Sequence, residues 1–358
     1  MVCRFFNLDL HISVIADVQD VLQRLYGDAV EVTNWSISGH NWVFKKRTPP
    51  VEVIRQETWR GLNERMIADF QRKYDDVLKT YDGFIVTHTP ALALLYEKYG
   101  KPIVVVNSCR YEQPFSWTGD MHMWSVLNRA LKRMHDKGQL IAVSNNRSDM
   151  LYLAAGTEVW STHIPSLCLY TGAEHRPNRK ELVVYGEREL FPASDKLVAR
   201  PPSGYSWQDL YNYKAIVHVP YEMSTMSIFE QLSAGVPLFF PTKRFYAECI
   251  MNGKMNLISR YAQKTAPAPL KDFFTSLDIW FNGADFYEQG DPFTFKFIYY
   301  YDSFEDMVAQ AESFEETAEV QQARRTWLFE RRLTVLAEWK KLLDPAVFPA
   351  VPAEPTEA

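Results

Sequence analysis

The chain has 358 residues, more than one hydrophobic core usually supports, so two domains of ordinary size are expected. Its 47% hydrophobic and 14% aromatic content suffices for packed interiors, and a net charge of −5 gives no electrostatic reason for a nucleic-acid partner, so a small substrate is expected. Cys3, Cys109, Cys168 and Cys249 show no spacing for structural zinc or a disulfide framework. No apolar run approaches the ~20 residues that a bilayer crossing needs, and the N-terminus lacks the pattern of an export signal; a cytoplasmic location is expected.

Phe5 to Leu10 reads as a strand and Ile12 to Leu25 as an amphipathic helix, with Val14, Ile15, Val18, Val21, Leu22 and Leu25 on one face. Val30 to Trp35 is a second strand. Asp9 and His11 then stand at the carboxyl end of the first strand, where open α/β sheets form their ligand crevice. Asp9 reads equally as a helix cap, and His11 as a residue packed beside it. Ser38 to Pro50 is a polar, basic loop in which His40, Asn41 and Trp42 offer a ring face and hydrogen-bonding groups suited to a sugar.

A charged helix over 61–81 follows, then strand 83–87, helix 91–98, strand 103–106, helix 121–135, strand 140–143 and a helix over 147–155 behind an Asn cap. Such alternation means a parallel, doubly wound sheet. Strand ends on one edge of that sheet converge, so Asp9, His11, His88, Asn107 and Arg110 are expected around one cleft. A boundary is placed near 165, giving domains 1–165 and 166–320.

The second domain opens with strand 181–185 and Gly186-Glu187-Arg188, followed by strand 196–200, the turn Pro201-Pro202-Ser203-Gly204 and a short helix over 206–211. Ala215 to Val219 is a strand, a helix begins near Ser224, and Gly235-Val236-Pro237 precedes strand 238–240. Glu222 and Glu230 flank a helix start bearing Ser224, Thr225 and Ser227, a setting that suits a nucleotide diphosphate meeting free amides. A helix over 245–251 comes next, then an aromatic stretch over 273–301 expected to pack beneath loops. Two helices fill 303–343, the second crossing back to the first domain over 321–344, and the Pro/Ala-rich, acidic 345–358 is expected to be disordered.

Glu222, seven residues, Glu230 and then Ser233-Ala234-Gly235-Val236-Pro237 resemble the donor-binding signature of retaining GT-B glycosyltransferases. Ala142-Val143-Ser144-Asn145, Gly156 and Thr162-His163-Ile164-Pro165 likewise resemble the last segment and linker of that family's first domain. The resemblance implies two Rossmann-like domains facing a central cleft, with a UDP- or GDP-sugar as donor, a glycan or small hydroxyl compound as acceptor and no cofactor. It assigns Glu230 to the ribose hydroxyls and Glu222 to the neighbourhood of the donor sugar. Arg188 is the first choice for the diphosphate, with Lys196 and Arg200 as competitors, because the family's usual Arg and Lys pair is not recognisable here. Acceptor contacts fall to His40, Trp42, Asn107 and Arg110.

No Asp-x-Asp follows a strand, so metal-independent transfer is expected. Retention of configuration is the leading expectation; inversion would need Asp9, His11 or His88 as general base. A sugar-nucleotide 2-epimerase and a non-catalytic binding module remain open. A Rossmann dehydrogenase is disfavoured, since no Gly-x-Gly-x-x-Gly follows the first strand.

Overall fold

The computed structural model describes residues 2–38, 43–44, 48–255 and 288–347. Six parallel strands make the first sheet: β1 (Cys3–Asp9), β2 (Val30–Ser36), β3 (Gly83–His88), β4 (Ile103–Asn107), β5 (Leu140–Ser144) and β6 (Thr162–His163), in the order β2-β1-β3-β4-β5-β6. Five more make the second: β7 (Leu182–Tyr185), β8 (Leu197–Ala199), β9 (Ala215–His218), β10 (Leu238–Pro241) and β11 (Ile298–Tyr301), in the order β11-β10-β9-β7-β8. Both are parallel throughout. This is the α/β, two-layer Rossmann-like architecture expected from the sequence.

Parallel strands covered on both faces must be apolar at every position, and Ile103-Val104-Val105-Val106 shows why. Ile103 and Val105 face α2 (Glu64–Leu78), α4 (Met121–Asp136) and α5 (Arg147–Thr157), while Val104 and Val106 face α1 (Ile12–Tyr26). Each such side chain contributes roughly 1.5–3 kcal/mol on burial. Between β4 and α4 lies a one-turn helix, α3 (Phe115–Thr118). In the second layer, α6 (Trp207–Tyr211) and α7 (Met226–Ser233) cover one face of the sheet. Its other face meets α8 (Lys243–Met251) and, after the short α9 (Asp291–Thr294), α10 (Phe304–Ser313).

The last helix, α11 (Ala318–Val347), places Trp327 and Leu328 against the second sheet's core and Val335, Trp339 and Leu343 against α1. Where the chain passes between layers, Asp17 of α1 accepts the amides of Leu167 (3.1 Å) and Cys168 (2.6 Å), and Arg331 Nη2 donates to the Ser166 carbonyl at 2.7 Å.

Three expectations need correction, and one element was not expected. Pro90–Leu95 is a 3₁₀ helix rather than the start of an α-helix: six buried residues are turned tightly behind Pro90 at its start, and Tyr96 N bonds Ala93 O at 3.0 Å. The aromatic stretch ends in strand β11, not in packing beneath loops, because Tyr301 is fully buried and donates its hydroxyl to His218 O of β9 at 2.7 Å. Residues 345–347, assigned to the disordered tail, continue α11, with Val347 buried in the same stripe as Leu343. Helix α3 is an element that the periodicity does not show. His40, Trp42, Trp280, Phe281, Phe286 and Tyr287 lie outside the described residues.

The sheet orders fix where a ligand can sit. In the first sheet β1 pairs with both β2 and β3, so successive connections diverge between β1 and β3; in the second they diverge between β7 and β9. Open α/β sheets bind ligands in the crevice at such reversals, outside the carboxyl ends of the strands. Gly186, just past β7, has φ +147° and would bring a Cβ within 2.6 Å of Val219, so the chain closes around the second crevice only with glycine there.

Candidate active site

Both reversals open on one cavity of about 970 Å³, within the upper range for small-molecule sites. His11 and His88 mark the first reversal, their ring centroids 5.5 Å apart. Tyr185 and Tyr221 line the second.

The second-sheet wall is built around the start of α7. Thr225 occupies its N-cap but makes no side-chain cap bond; its hydroxyl instead meets that of Ser227 at 2.8 Å, leaving both hydroxyls beside the first-turn amides. Such an end attracts anions. Ser224, on the same wall, donates to the buried Asp291, whose carboxyl burial pushes up to about 8. Asp291 is therefore a protonated acid at neutral pH. One and a half turns into α7, Glu230 accepts from the Tyr170 hydroxyl and from Trp207 Nε1 (3.2 Å). Burial raises its pKa, offset in part by these two donors and Ser13. An ionised carboxylate has acceptor capacity beyond two bonds.

The first-sheet wall carries the titratable groups. His11 is the N-cap residue of α1 and makes no cap bond with its side chain, so the ring stands at the cavity. His88 sits at φ +71°, a backbone conformation rare outside glycine. Burial, His11 and Arg110 push its imidazole down to about 3, so it is neutral. Cys109 donates its thiol to His88 O at 3.1 Å, and its sulfur lies 4.0 Å from His88 Nε2. Burial raises that thiol well above its ordinary value, the opposite of a thiolate–imidazolium pair. Arg110 Nη1 reaches across to Glu222 Oε2 at 3.4 Å, joining the two walls through a largely buried ion pair. The adjoining Glu112 is fully buried and pushed up to about 7 by that burial, which Arg110 partly offsets.

His11, His88, Arg110, Glu222, Ser224, Thr225 and Glu230 thus line one cavity, as their strand-end and helix-start positions suggest. The other named candidates among the described residues do not line it. Asp9 is fully buried at the end of β1; Ser36, Asn34 and the His11 amide approach its carboxyl without a contact short and straight enough for a hydrogen bond, and burial pushes it up to about 6. Asn107 is also fully buried and donates to Asp149 O at 3.1 Å, tying β4 to α5. Arg188 spends its guanidinium on the carbonyls of Leu197 (2.7 Å), Phe191 (3.0 Å) and Ser194 (3.2 Å), organising the β7–β8 loop. Lys196 stands 3.7 Å from Asp195. Arg200 is not among the lining residues, and its guanidinium stands 4.6 Å from the Tyr185 ring centroid.

Sequence reasoning missed Trp207 and Tyr170, which hold Glu230, and Asp291, which holds Ser224; their neighbours are set by tertiary contact over 23 to 67 residues. It also missed Trp117 on α3, for which the only local signal is an aromatic residue in a short turn closed by Gly119. Among the described residues no group of three or more His, Cys, Asp or Glu side chains is placed to hold a metal ion, and no helix is long and apolar enough to cross a membrane.

The class that these features define is a two-layer Rossmann-like α/β protein with a cavity between its layers. No family model matches the chain, and no curated protein does. Among solved structures it is similar to the glycosyltransferase SnogD from Streptomyces nogalater, at 12% identity over 97% of this chain and 100% of that one, with a TM-score of 0.47. The glycotransferase of kitacinnamycin is similar at 10% identity over 97% and 100%, TM-score 0.45. MnaA from S. aureus, in a co-structure with UDP, is similar at 11% identity over 83% and 93%, TM-score 0.43.

Proposed function

We propose that the protein transfers a glycosyl group from a nucleoside-diphosphate sugar to a hydroxyl acceptor. One observation carries this reading: an anion-attracting helix start beside a carboxylate (α7, Glu230) and a cavity-facing imidazole (His11) stand on opposite walls of one cavity. The first-turn amides of α7 with Ser224, Thr225 and Ser227 take the diphosphate. Glu230, held by Tyr170 and Trp207, takes the ribose hydroxyls. Arg110 faces this wall from the other side and, with the helix dipole, offsets charge developing on the leaving diphosphate, so that no metal is required.

The two stereochemical outcomes divide on the proton acceptor. Of Asp9, His11 and His88, Asp9 is buried away from the cavity and burial pushes the His88 imidazole down to about 3, which leaves His11 as the candidate on the cavity wall. This favours inversion: the acceptor oxygen bonds the anomeric carbon, the bond to the diphosphate oxygen breaks, and the hydroxyl proton passes to His11. Retention is the second reading, supported by the Glu222 and Glu230 spacing; there the departing phosphate takes the proton and Glu222 stabilises positive charge on the sugar.

Incubation with UDP-, TDP- and GDP-sugars and hydroxyl acceptors in EDTA, followed by proton NMR, tests both. The expected result is nucleotide release, a glycosylated product of inverted anomeric configuration and full turnover with the chelator. A retained anomer selects the second reading. A changed sugar without release means epimerisation, and binding without any reaction reduces the protein to a binding module; either outcome overturns transfer.

A further inference from the structure

One feature of the cavity wall is used by neither reading. Trp117, on α3, lines the cavity and is 49% exposed. Single exposed aromatics are ordinary on protein surfaces, but this one stands in a concave wall and is braced from outside it. Its amide bonds Pro114 O at 3.0 Å. Its ring meets the buried Trp59 edge to face, centroids 5.8 Å apart at 69°. The Arg60 guanidinium stands 5.6 Å from the Trp117 centroid and 6.0 Å from that of Trp59, a cation–π clamp on both.

An indole fixed in this way loses little conformational freedom when a flat partner covers it, which is the condition for a productive stacking platform. The same wall supplies polar groups, Ser108 and Gln113, suited to hydroxyls at a ring's edge. A rigid apolar plane bordered by hydrogen-bonding groups matches a molecule whose face is C–H or aromatic carbon and whose rim is hydroxylated.

We propose that Trp117 is the stacking platform for the acceptor, and that the acceptor is therefore a hydroxylated ring, aromatic or pyranose, rather than an open-chain polyol. This rests on the glycosyl-transfer reading for the word acceptor; the ring subsite itself stands on Trp117, Trp59 and Arg60.

The test uses three probes with the full chain: 4-methylumbelliferone as an aromatic ring, methyl β-D-glucopyranoside as a pyranose and xylitol as an open chain. Each is titrated by saturation-transfer NMR against the wild type, Trp117→Ala and Trp117→Phe, with melting curves as a fold control and UDP, TDP and GDP titrated in parallel. At least one ring probe should bind, weakened about tenfold by Trp117→Ala (about 1.4 kcal/mol) and no more than about twofold by Trp117→Phe, which keeps a ring face. Xylitol should not respond, and nucleotide affinity should not change. Whichever ring binds identifies the acceptor's ring type. Ring binding equal in Trp117→Ala and wild type, xylitol matching the rings, or no ring binding would each overturn the platform. If no nucleotide binds while ring binding still depends on Trp117, glycosyl transfer fails and the platform stands; nucleotide binding without a Trp117 effect gives the reverse.

Discussion

Beside Tyr185 and the segment Ser203 to Tyr211, the second-sheet wall of the cavity takes Tyr221 to Ser227, Glu230 and Gln231 from a single loop and helix, whereas the first-sheet wall gathers His11, His88 and Arg110 from the ends of three strands and Asp149 from the first turn of α5. The contiguous wall carries a directional element, the start of α7, whose amides and hydroxyls are placed by the helix itself. The convergent wall depends on sheet order, and its packing has silenced most of its chemistry. His88 is neutral and the Cys109 thiol stays protonated, leaving His11 and the Arg110–Glu222 bridge. Under the proposed reading, one wall holds the donor and the other offers His11 as the reactive group.

Three measurements can break that division. The largest effect is expected for His11→Ala, which should lower turnover by about 10²–10⁴-fold, the range of general acid–base catalysis, while leaving nucleotide affinity unchanged. His88→Ala should leave measurable turnover. Were the two responses exchanged, the reacting group would lie deeper in the wall than its surface imidazole. Next is Glu230→Ala, for which loss of charge-assisted bonds worth roughly 1.5–3 kcal/mol should weaken the best nucleotide by about one to two orders of magnitude in calorimetry. Undiminished affinity in a variant that melts normally would remove the holding role from this wall.

The smallest effect concerns Asp291. Its carboxyl lies at about 8 when folded against 3.8 as the ordinary value, so the native state holds a proton that the unfolded chain has released. Its stabilising contribution is fully present below the ordinary value and is lost as pH rises through about 8. The wild type should therefore lose several degrees of melting temperature relative to Asp291→Asn between pH 5 and 8, with no further divergence above that. A difference independent of pH would mean that Asp291 is ionised beneath Ser224.

The sheets were legible because parallel strands buried on both faces leave continuous apolar runs, as in Phe84-Ile85-Val86 and Ile103 to Val106. The contiguous wall was legible for a related reason: Glu222, Ser224, Thr225 and Glu230 reach the cavity through one local turn and helix. The convergent wall was legible only in part. A strand end puts one residue at the cavity and its neighbour inside, so His11 faces the ligand space while Asp9 and Asn107 lie buried. Arg188 shows the limit of reading charge by position, since the carbonyls that occupy it belong to a loop conformation that no periodicity records. Trp117 escaped because its brace, Trp59, lies 58 positions earlier.

The last helix has a mechanical meaning. With 30 residues, α11 is a rod about 45 Å long, fastened to the second layer near Trp327 and to the first near Trp339. The other passage between layers runs beside it, joined where Arg331 grips the Ser166 carbonyl. Two tethers fastened to each other act as one hinge line. Such a fastening favours opening about that line over sliding across it, with Arg331 as the pin whose removal is expected to loosen it.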